Sequence, residues 1–355
     1  MRQLTIGIDG SFLARDQRGM GRAIRGILSR WLGTVPHRLV LLCYQRRHLA
    51  GLQAFAAGRW DVALASEAPR LDVCWFPWSR VDWKPDCPSL AFVHDVVPFT
   101  SHHPKEGRSA DQDRLRQAVQ RADRLMTNSQ FSADEMQRYL SPSGPIAVVP
   151  LAYDPQTFHH QKASTPLPQG LEDGNYMLYV GNLEPRKNLS GLLQALTLAG
   201  PRLSLPLALV CPRPTPSLAQ RLFGCPDAFG SLTRDLADRL VWLKNLDDAS
   251  LLRVYQGARL FVMPSTYEGF GLPLLEAMAS GCPTAAARAS SLPEVGGAVP
   301  HWFDPHDAGD IARALQEAVG SPLPSPEGAL ERARAFSWEQ TARQTMDLLE
   351  SAATR

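Results

Sequence analysis

The sequence is poor in several features, and each shortage excludes a class of protein. Its 355 residues include six cysteines (Cys43, Cys74, Cys87, Cys211, Cys225 and Cys282), scattered and without a C-x-x-C pair. No disulfide framework or zinc site is expected, and a reducing cytoplasm fits this usage. No run of about 18 apolar residues occurs, so no membrane-spanning helix is expected. The first ten residues enter a strand pattern directly and lack the apolar region of a signal peptide. There is no G-x-x-x-x-G-K-[ST] loop and no G-x-S-x-G elbow. Basic residues are not interleaved with aromatics, so no nucleic-acid partner is expected. Asp111-Gln112-Asp113 offers a D-x-D, but within a charged helical stretch, where it reads as a solvated face. His102 and His103 lack a neighbouring carboxylate–histidine set that would argue for a metal.

What is present is a globular composition, 44% apolar and 20% charged, long enough for two domains. The net charge of +2 conceals an asymmetry: residues 1–165 carry 21 Lys+Arg against 15 Asp+Glu, and residues 166–355 carry 16 against 20. The first half could meet an anionic lipid surface or a phosphorylated acceptor, or could simply have an arginine-rich surface. The helix opened by Gly21, expected over Gly21–Leu32, carries Ile24, Ile27, Leu28, Trp31 and Leu32 on one face. Arg22, Arg25 and Arg30 lie on the other, which would suit an anionic membrane or a solvated core helix.

Short apolar runs alternate with helical patterns along both halves, which predicts parallel sheets with helices on their faces. A polar, proline-bearing stretch from Asp154 to Gly174 has no hydrophobic period and reads as the linker. The expected fold class is α/β, with two Rossmann-like doubly wound domains facing a central cleft. The expected borders are 1–165, 166–335 and a final helical segment, 336–355, in which Ser337 and Gln340 form a capping box. Ligands of such sheets bind off the carboxyl ends of the strands.

Four groups of residues fall at strand exits. Glu268 and Glu276, with seven residues between them, flank a Gly-x-Gly turn and a proline at the start of a helix. Backbone N–H groups and a helix end there suit phosphate, and carboxylates on either side suit hydroxyls, so a nucleotide-sugar fits. Gly19 and Gly21, beside Arg18, form a second glycine turn, where backbone could approach a ligand closely or simply turn tightly. His94 ends an apolar strand and, when neutral, can hydrogen-bond a sugar hydroxyl. Arg186 and Lys187 are adjacent cations at a helix start, a placement the helix dipole opposes unless an anion lies between them.

These residues resemble a known family. Glu268-Gly-Phe-Gly-Leu-Pro-Leu-Leu-Glu276 is similar to the E-x7-E motif of the GT-B retaining glycosyltransferases of family 4, also called glycosyl transferases group 1. Val93-His94-Asp95-Val-Val-Pro98, Thr127-Asn128-Ser129-Gln-Phe-Ser132 and Val148-Val-Pro150 with Asp154 and Phe158 resemble further family segments in order. So do Val180 to Asn188 and Ser290-Ser-Leu-Pro-Glu294-Val-Gly296.

The resemblance implies a retaining, metal-independent hexosyltransferase with no cofactor, serving bacterial polysaccharide or glycolipid biosynthesis. Its donor would be a GDP- or UDP-sugar, mannose being the first guess. Its acceptor would be a saccharide or lipid-linked molecule bound by the N-terminal domain. It implies that His94 contacts the donor's primary hydroxyl and that Glu268 and Glu276 grip the sugar and the ribose. Arg186 and Lys187 would hold the leaving diphosphate. Backbone N–H groups of Phe270, Gly271 and Leu272 would add contacts, and Gly19 and Gly21 would let the first loop close over the donor. Asn182 stands where many members carry arginine, and Leu151-Ala152 stand where asparagine-glycine is usual. The implied location is cytoplasmic, with peripheral contact to the inner membrane face as an option. The rival readings are an epimerase or phosphorylase of the same fold, or a catalytically silent nucleotide-sugar-binding subunit.

Overall fold

The structure is a computed structural model that describes residues 2–16, 19–102, 108–211 and 233–354. Arg18, His103 and Cys225 lie outside the described residues. The chain forms two compact units, Met1–Ala152 with Phe336–Arg355, and Tyr153–Ala335.

The first unit has seven strands: β1 Thr5–Asp9, β2 Arg38–Cys43, β3 Asp61–Leu64, β4 Val73–Phe76, β5 Ser89–Phe92, β6 Arg124–Thr127 and β7 Ile146–Val148. They pair in the order β3-β2-β1-β4-β5-β6-β7, all parallel. Every residue of β4 is buried, as expected for an apolar run covered on both faces. The helix Gly19–Trp31 buries Ala23, Ile24, Ile27, Leu28 and Trp31 at helical spacing, while Leu32, expected on this face, lies past the helix end and is exposed. Trp31 packs on Trp75 with ring centroids 5.2 Å apart. Burying side chains of this size stabilises the unit by roughly 1.5–3 kcal/mol each.

Two of the arginines read as solvated are engaged within the unit. Arg25 donates to the carbonyls of Leu13 and Asp16, and Arg30 pairs with Glu339 at 2.9 Å. Glu339 belongs to the final helix, Trp338–Ala353, whose first turn is capped by Ser337 accepting from the N–H of Gln340. Trp31 Nε1 donates to the Ala342 carbonyl at 3.0 Å, and Thr341 Oγ1 donates to that of Pro150 at 2.7 Å. A Cβ at Gly26 would lie 2.6 Å from the Trp338 ring, so the two helices meet through a glycine. In the helix Arg108–Arg121, Asp111 and Asp113 pair with Arg114 and Arg116 one turn on.

The second unit has six strands: β8 Met177–Val180, β9 Leu207–Val210, β10 Leu240–Leu243, β11 Leu260–Met263, β12 Thr284–Ala287 and β13 His301–Phe303. Their order is β10-β9-β8-β11-β12-β13, again all parallel. Both sheets are doubly wound. The strand order reverses between β1 and β4 in one and between β8 and β11 in the other, where such sheets open a crevice for ligands.

The division after Ala152 falls earlier than the 165/166 border read from the sequence, and the stretch read as a linker is packed into the second unit. Phe158 meets Tyr255 edge-on at 5.9 Å. Gln256 donates to the carbonyls of His159 and Gln161 and accepts from the N–H of Ala163. These tertiary bonds order a segment that has no period of its own. Among the described residues, no helix is long and apolar enough to cross a membrane.

Candidate active site

The site of the second unit is built from the exits of β8 and β11, neighbours at its reversal point. After β8, Gly181 to Glu184 form a turn held by Asn182, whose Oδ1 accepts from the N–H of Glu184. The Asn182 Nδ2 donates to Glu184 Oε1 at 2.6 Å. A single 3-10 turn, Pro185–Lys187, follows, and Asn188 in the left-handed region starts the helix Leu189–Ala199. After β11 the chain breaks at Pro264 and runs to Gly271, which adopts φ 107°. Gly271 caps the helix Leu272–Ala279, with Pro273 in its first turn. A Cβ at Gly271 would lie 2.6 Å from Leu292 Cδ2, so both its dihedral and its packing require glycine.

The two exits are joined by an ion cluster. Lys187 Nζ donates to both carboxylate oxygens of Glu268, at 2.6 and 2.8 Å. Arg186 reaches Glu268 Oε2 at 3.3 Å, Glu184 Oε2 at 2.6 Å and the Tyr267 carbonyl at 3.1 Å. The Arg186 and Lys187 side chains are only 14% and 13% exposed. Burial by itself would raise the Glu268 carboxyl, but Lys187 and Arg186, with hydrogen bonds from Lys187 and Ser265, outweigh it and hold it below the ordinary value. The anion that the paired cations call for at this helix start is thus supplied by the chain itself, through Glu184 and Glu268.

Two serines absent from the sequence-derived site fix this loop. The N–H of Glu268 donates to Ser290 Oγ at 2.9 Å, and Ser291 Oγ lies 2.9 and 3.0 Å from the carbonyls of Glu268 and Phe270. They lie in the Ser290-to-Gly296 segment, whose motif carried no role of its own. Glu276 lies in the helix Leu272–Ala279, buried, and accepts from the Tyr255 hydroxyl at 3.2 Å. Glu184, inside the Val180-to-Asn188 segment, has no role in the sequence reading, and Tyr255 stands in no recognisable pattern; their contacts to Arg186 and Glu276 are tertiary.

The structure therefore brings Asn182, Arg186, Lys187, Glu268, Phe270, Gly271, Leu272 and Glu276 together beyond the carboxyl ends of the two central strands of one sheet. His94, Gly19 and Gly21 belong to the other unit. Gly19 and Gly21 lie inside the first turn of the helix Gly19–Trp31 rather than before it. A Cβ on Gly21 would be 1.9 Å from the Asp16 carbonyl oxygen, so the chain's own returning loop already demands that glycine.

His94 follows β5 and is buried against Phe92, with ring centroids 4.0 Å apart. Its Nε2 lies 2.8 Å from the Pro77 carbonyl, which can only accept, so Nε2 carries the proton. Burial lowers its pKa despite that bond and the nearby Asp95 and Asp16. The neutral ring then presents Nδ1 as an acceptor, suited to a hydroxyl proton.

Two doubly wound units, each with its reversal point, and a carboxylate–cation cluster at a strand exit define the GT-B class of fold. Solved structures agree. Sucrose-phosphate synthase from Thermosynechococcus elongatus matches with TM-score 0.74 at 19% identity, over 99% of each chain. Anabaena Alr3699/HepE, solved in complex with UDP and glucose, matches with TM-score 0.69 at 16% identity, over 98% of this chain and all of that one.

In sequence, residues 14–157 match the model described as Glycosyltransferase Family 4, and residues 174–321 that of Glycosyl transferases group 1. O-antigen chain mannosyltransferase B of Escherichia coli is 34% identical over 274 residues, covering 73% of this chain and 69% of that protein. The serotype-specific mannosyltransferase WbdA of Escherichia coli is 30% identical over 75% of this chain but only 33% of its own length. The chain belongs to the family 4 (group 1) glycosyltransferases.

Proposed function

We propose that this glycosyltransferase moves a hexose, mannose in the first instance, from a nucleoside diphosphate sugar to a saccharide or lipid-linked acceptor in bacterial polysaccharide or glycolipid assembly. The observation that carries the reading is the pair of buried glutamates on either side of the Gly271 turn, one of them bound to two cations. Glu276 takes the ribose hydroxyls and Glu268 those on the far edge of the donor ring. Arg186 and Lys187 face the diphosphate, with the Leu272 end of the helix beside it. Phe270 and Gly271 keep the backbone within reach of the sugar, and Asn182 holds the turn that presents Arg186. His94 accepts a hydrogen bond from a sugar hydroxyl at Nδ1. The relatives named as mannosyltransferases, and the similar fold solved with UDP and glucose, support a nucleotide-sugar donor.

The chemistry proposed is retention without a metal. The bond between the anomeric carbon and the diphosphate oxygen breaks as the acceptor oxygen bonds to the same face. The acceptor's proton passes to the departing diphosphate. Fixed cations and a helix end stabilise the developing charge. No carboxylate is assigned as a nucleophile, which sets this apart from double displacement.

The test is product analysis with labelled GDP-mannose and UDP-glucose, each with and without added oligosaccharide. Label transfer to the added acceptor with an unchanged anomeric configuration is expected. Epimerised donor without acceptor, sugar phosphate release with added phosphate, or binding without turnover would each replace this reading. A thermal-shift panel of GDP-, UDP- and dTDP-sugars selects the donor, since a ligand at a hundred times its dissociation constant adds about 2.7 kcal/mol.

A further inference from the structure

The reversal point of the first unit, between β1 and β4, is left unused by the donor reading, yet it carries a concentration of aromatic and charged side chains. Phe12 follows β1, Tyr44 follows β2, and Trp78, Arg80, Asp82 and Trp83 follow β4; these three strands are adjacent in the order β2-β1-β4. From this arrangement we infer a carbohydrate subsite in which the Tyr44–Trp83 wall stacks on a pyranose ring of the acceptor and Arg80 and Asp82 bind its hydroxyls. The inference rests on the glycosyltransferase reading above and assigns the acceptor's chemical class.

Tyr44 is 55% exposed, one of the few large apolar side chains left open to solvent among the described residues. It lies parallel to Trp83, with ring centroids 6.0 Å apart and planes 6° apart. Trp83 is held in turn by the edge contact of Phe76 at 4.7 Å. An exposed Tyr braced on a half-buried Trp is a rigid apolar wall with hydrogen-bonding groups at its rim. A pyranose has the matching form, with an apolar C–H face and a polar hydroxyl edge.

Asp82, the chain neighbour of Trp83, forms a partly exposed pair with Arg80 at 2.7 Å, and the Arg80 guanidinium lies 5.1 Å from the Phe12 ring centroid. A carboxylate accepts from hydroxyls and a guanidinium donates to them, so the pair serves neighbouring hydroxyl groups. Because Asp82 offsets Arg80, this pair does not favour an anion, which argues for a neutral sugar over a phosphate or a lipid headgroup. Two buried polar atoms also have no hydrogen-bond partner among the described residues. His48 Nδ1 is on the ring 5.8 Å from Phe12, and Asp9 Oδ2 is on the residue whose carbonyl accepts from Trp78 Nε1 at 2.7 Å. A buried polar atom without a partner in a native fold calls for an explanation, such as an ordered water or a functional constraint.

The experiment uses the full chain with methyl α-mannopyranoside, methyl α-glucopyranoside and their disaccharides as probes, and phosphatidylglycerol vesicles as the competing surface. Calorimetry and saturation-transfer NMR give saccharide binding; nucleotide affinity is measured in parallel. Tyr44→Ala and Asp82→Asn are expected to weaken saccharide binding at least tenfold, with GDP and UDP affinities within twofold of the parent. Tyr44→Phe, which keeps the ring, is expected to restore binding. Saccharide binding unaltered in Tyr44→Ala overturns the subsite, as does vesicle binding by a parent that takes no saccharide. A parent that binds saccharide through Tyr44 but no nucleotide-sugar would instead defeat the donor reading and leave the subsite standing.

Discussion

Lys187 Nζ bridges both carboxylate oxygens of Glu268, at 2.6 and 2.8 Å, across the gap between two neighbouring strand exits. The residue proposed to grip the sugar is therefore also the counter-charge of a residue proposed to hold the diphosphate. If the donor binds as proposed, it redistributes this pair.

Glu268→Gln separates the two roles. It keeps the side chain's size but removes a negative charge beside Lys187 and Arg186. Transfer is expected to fall about a hundredfold or more, the usual loss when a fixed polar contact to the reacting centre is removed. Affinity for GDP or UDP alone is expected to rise, because the cations lose their internal partner. Calorimetry with the nucleotide and steady-state kinetics with the nucleotide-sugar read the two effects. Normal turnover would sink the assignment.

Gly271→Ala tests the turn. Its φ of 107° disfavours a side chain, and the added Cβ would sit 2.6 Å from Leu292 Cδ2. A loss of roughly 1–3 kcal/mol is expected from the dihedral alone. Chemical denaturation measures it, and an unchanged midpoint would show that the loop relaxes freely.

Asp9 predicts a pH dependence. Its side chain is wholly buried, and desolvation pushes the carboxyl from 3.8 up to about 6, against hydrogen bonds from Ser11. Because the folded value exceeds the unfolded one, the stability this group contributes is full below pH 3.8 and is lost as pH rises through about 6. Asp9→Asn is expected to remove a penalty of up to about 3 kcal/mol at neutral pH. Thermal unfolding of parent and variant at pH 5 and pH 7.5 checks it: the variant's advantage must grow with pH.

Metal removal gives a simple contrast. Exhaustive treatment with EDTA is expected to leave transfer within twofold of the untreated rate, since fixed cations carry the diphosphate in this reading. A loss restored by magnesium or manganese would replace those side chains with an ion.

Several elements could be read from local pattern alone. The strands Val73–Phe76 and Leu260–Met263 and the helix Leu189–Ala199 showed in local pattern, because continuous apolar strands and amphipathic helices signal themselves. The strand Thr284–Ala287 did not, since Thr-Ala-Ala-Ala has little strand preference; its pairing with β11 and β13 makes it a strand. The short helix Leu49–Ala56 and the strand Asp61–Leu64 have no clear period and do not show in local pattern either.

The sequence by itself determined the family, the parallel α/β class and the glutamates and cations that lie at strand exits, because strand ends, glycine turns and helix starts are local features. Tertiary structure alone decided how these charges are spent. Residues 81 positions apart in the chain meet as Lys187 and Glu268, and the reason is strand order. β8 and β11 become neighbours only once the sheet has formed. The same cause, acting through β2, β1 and β4, sets Phe12, Tyr44 and Trp83 at one edge of the first unit.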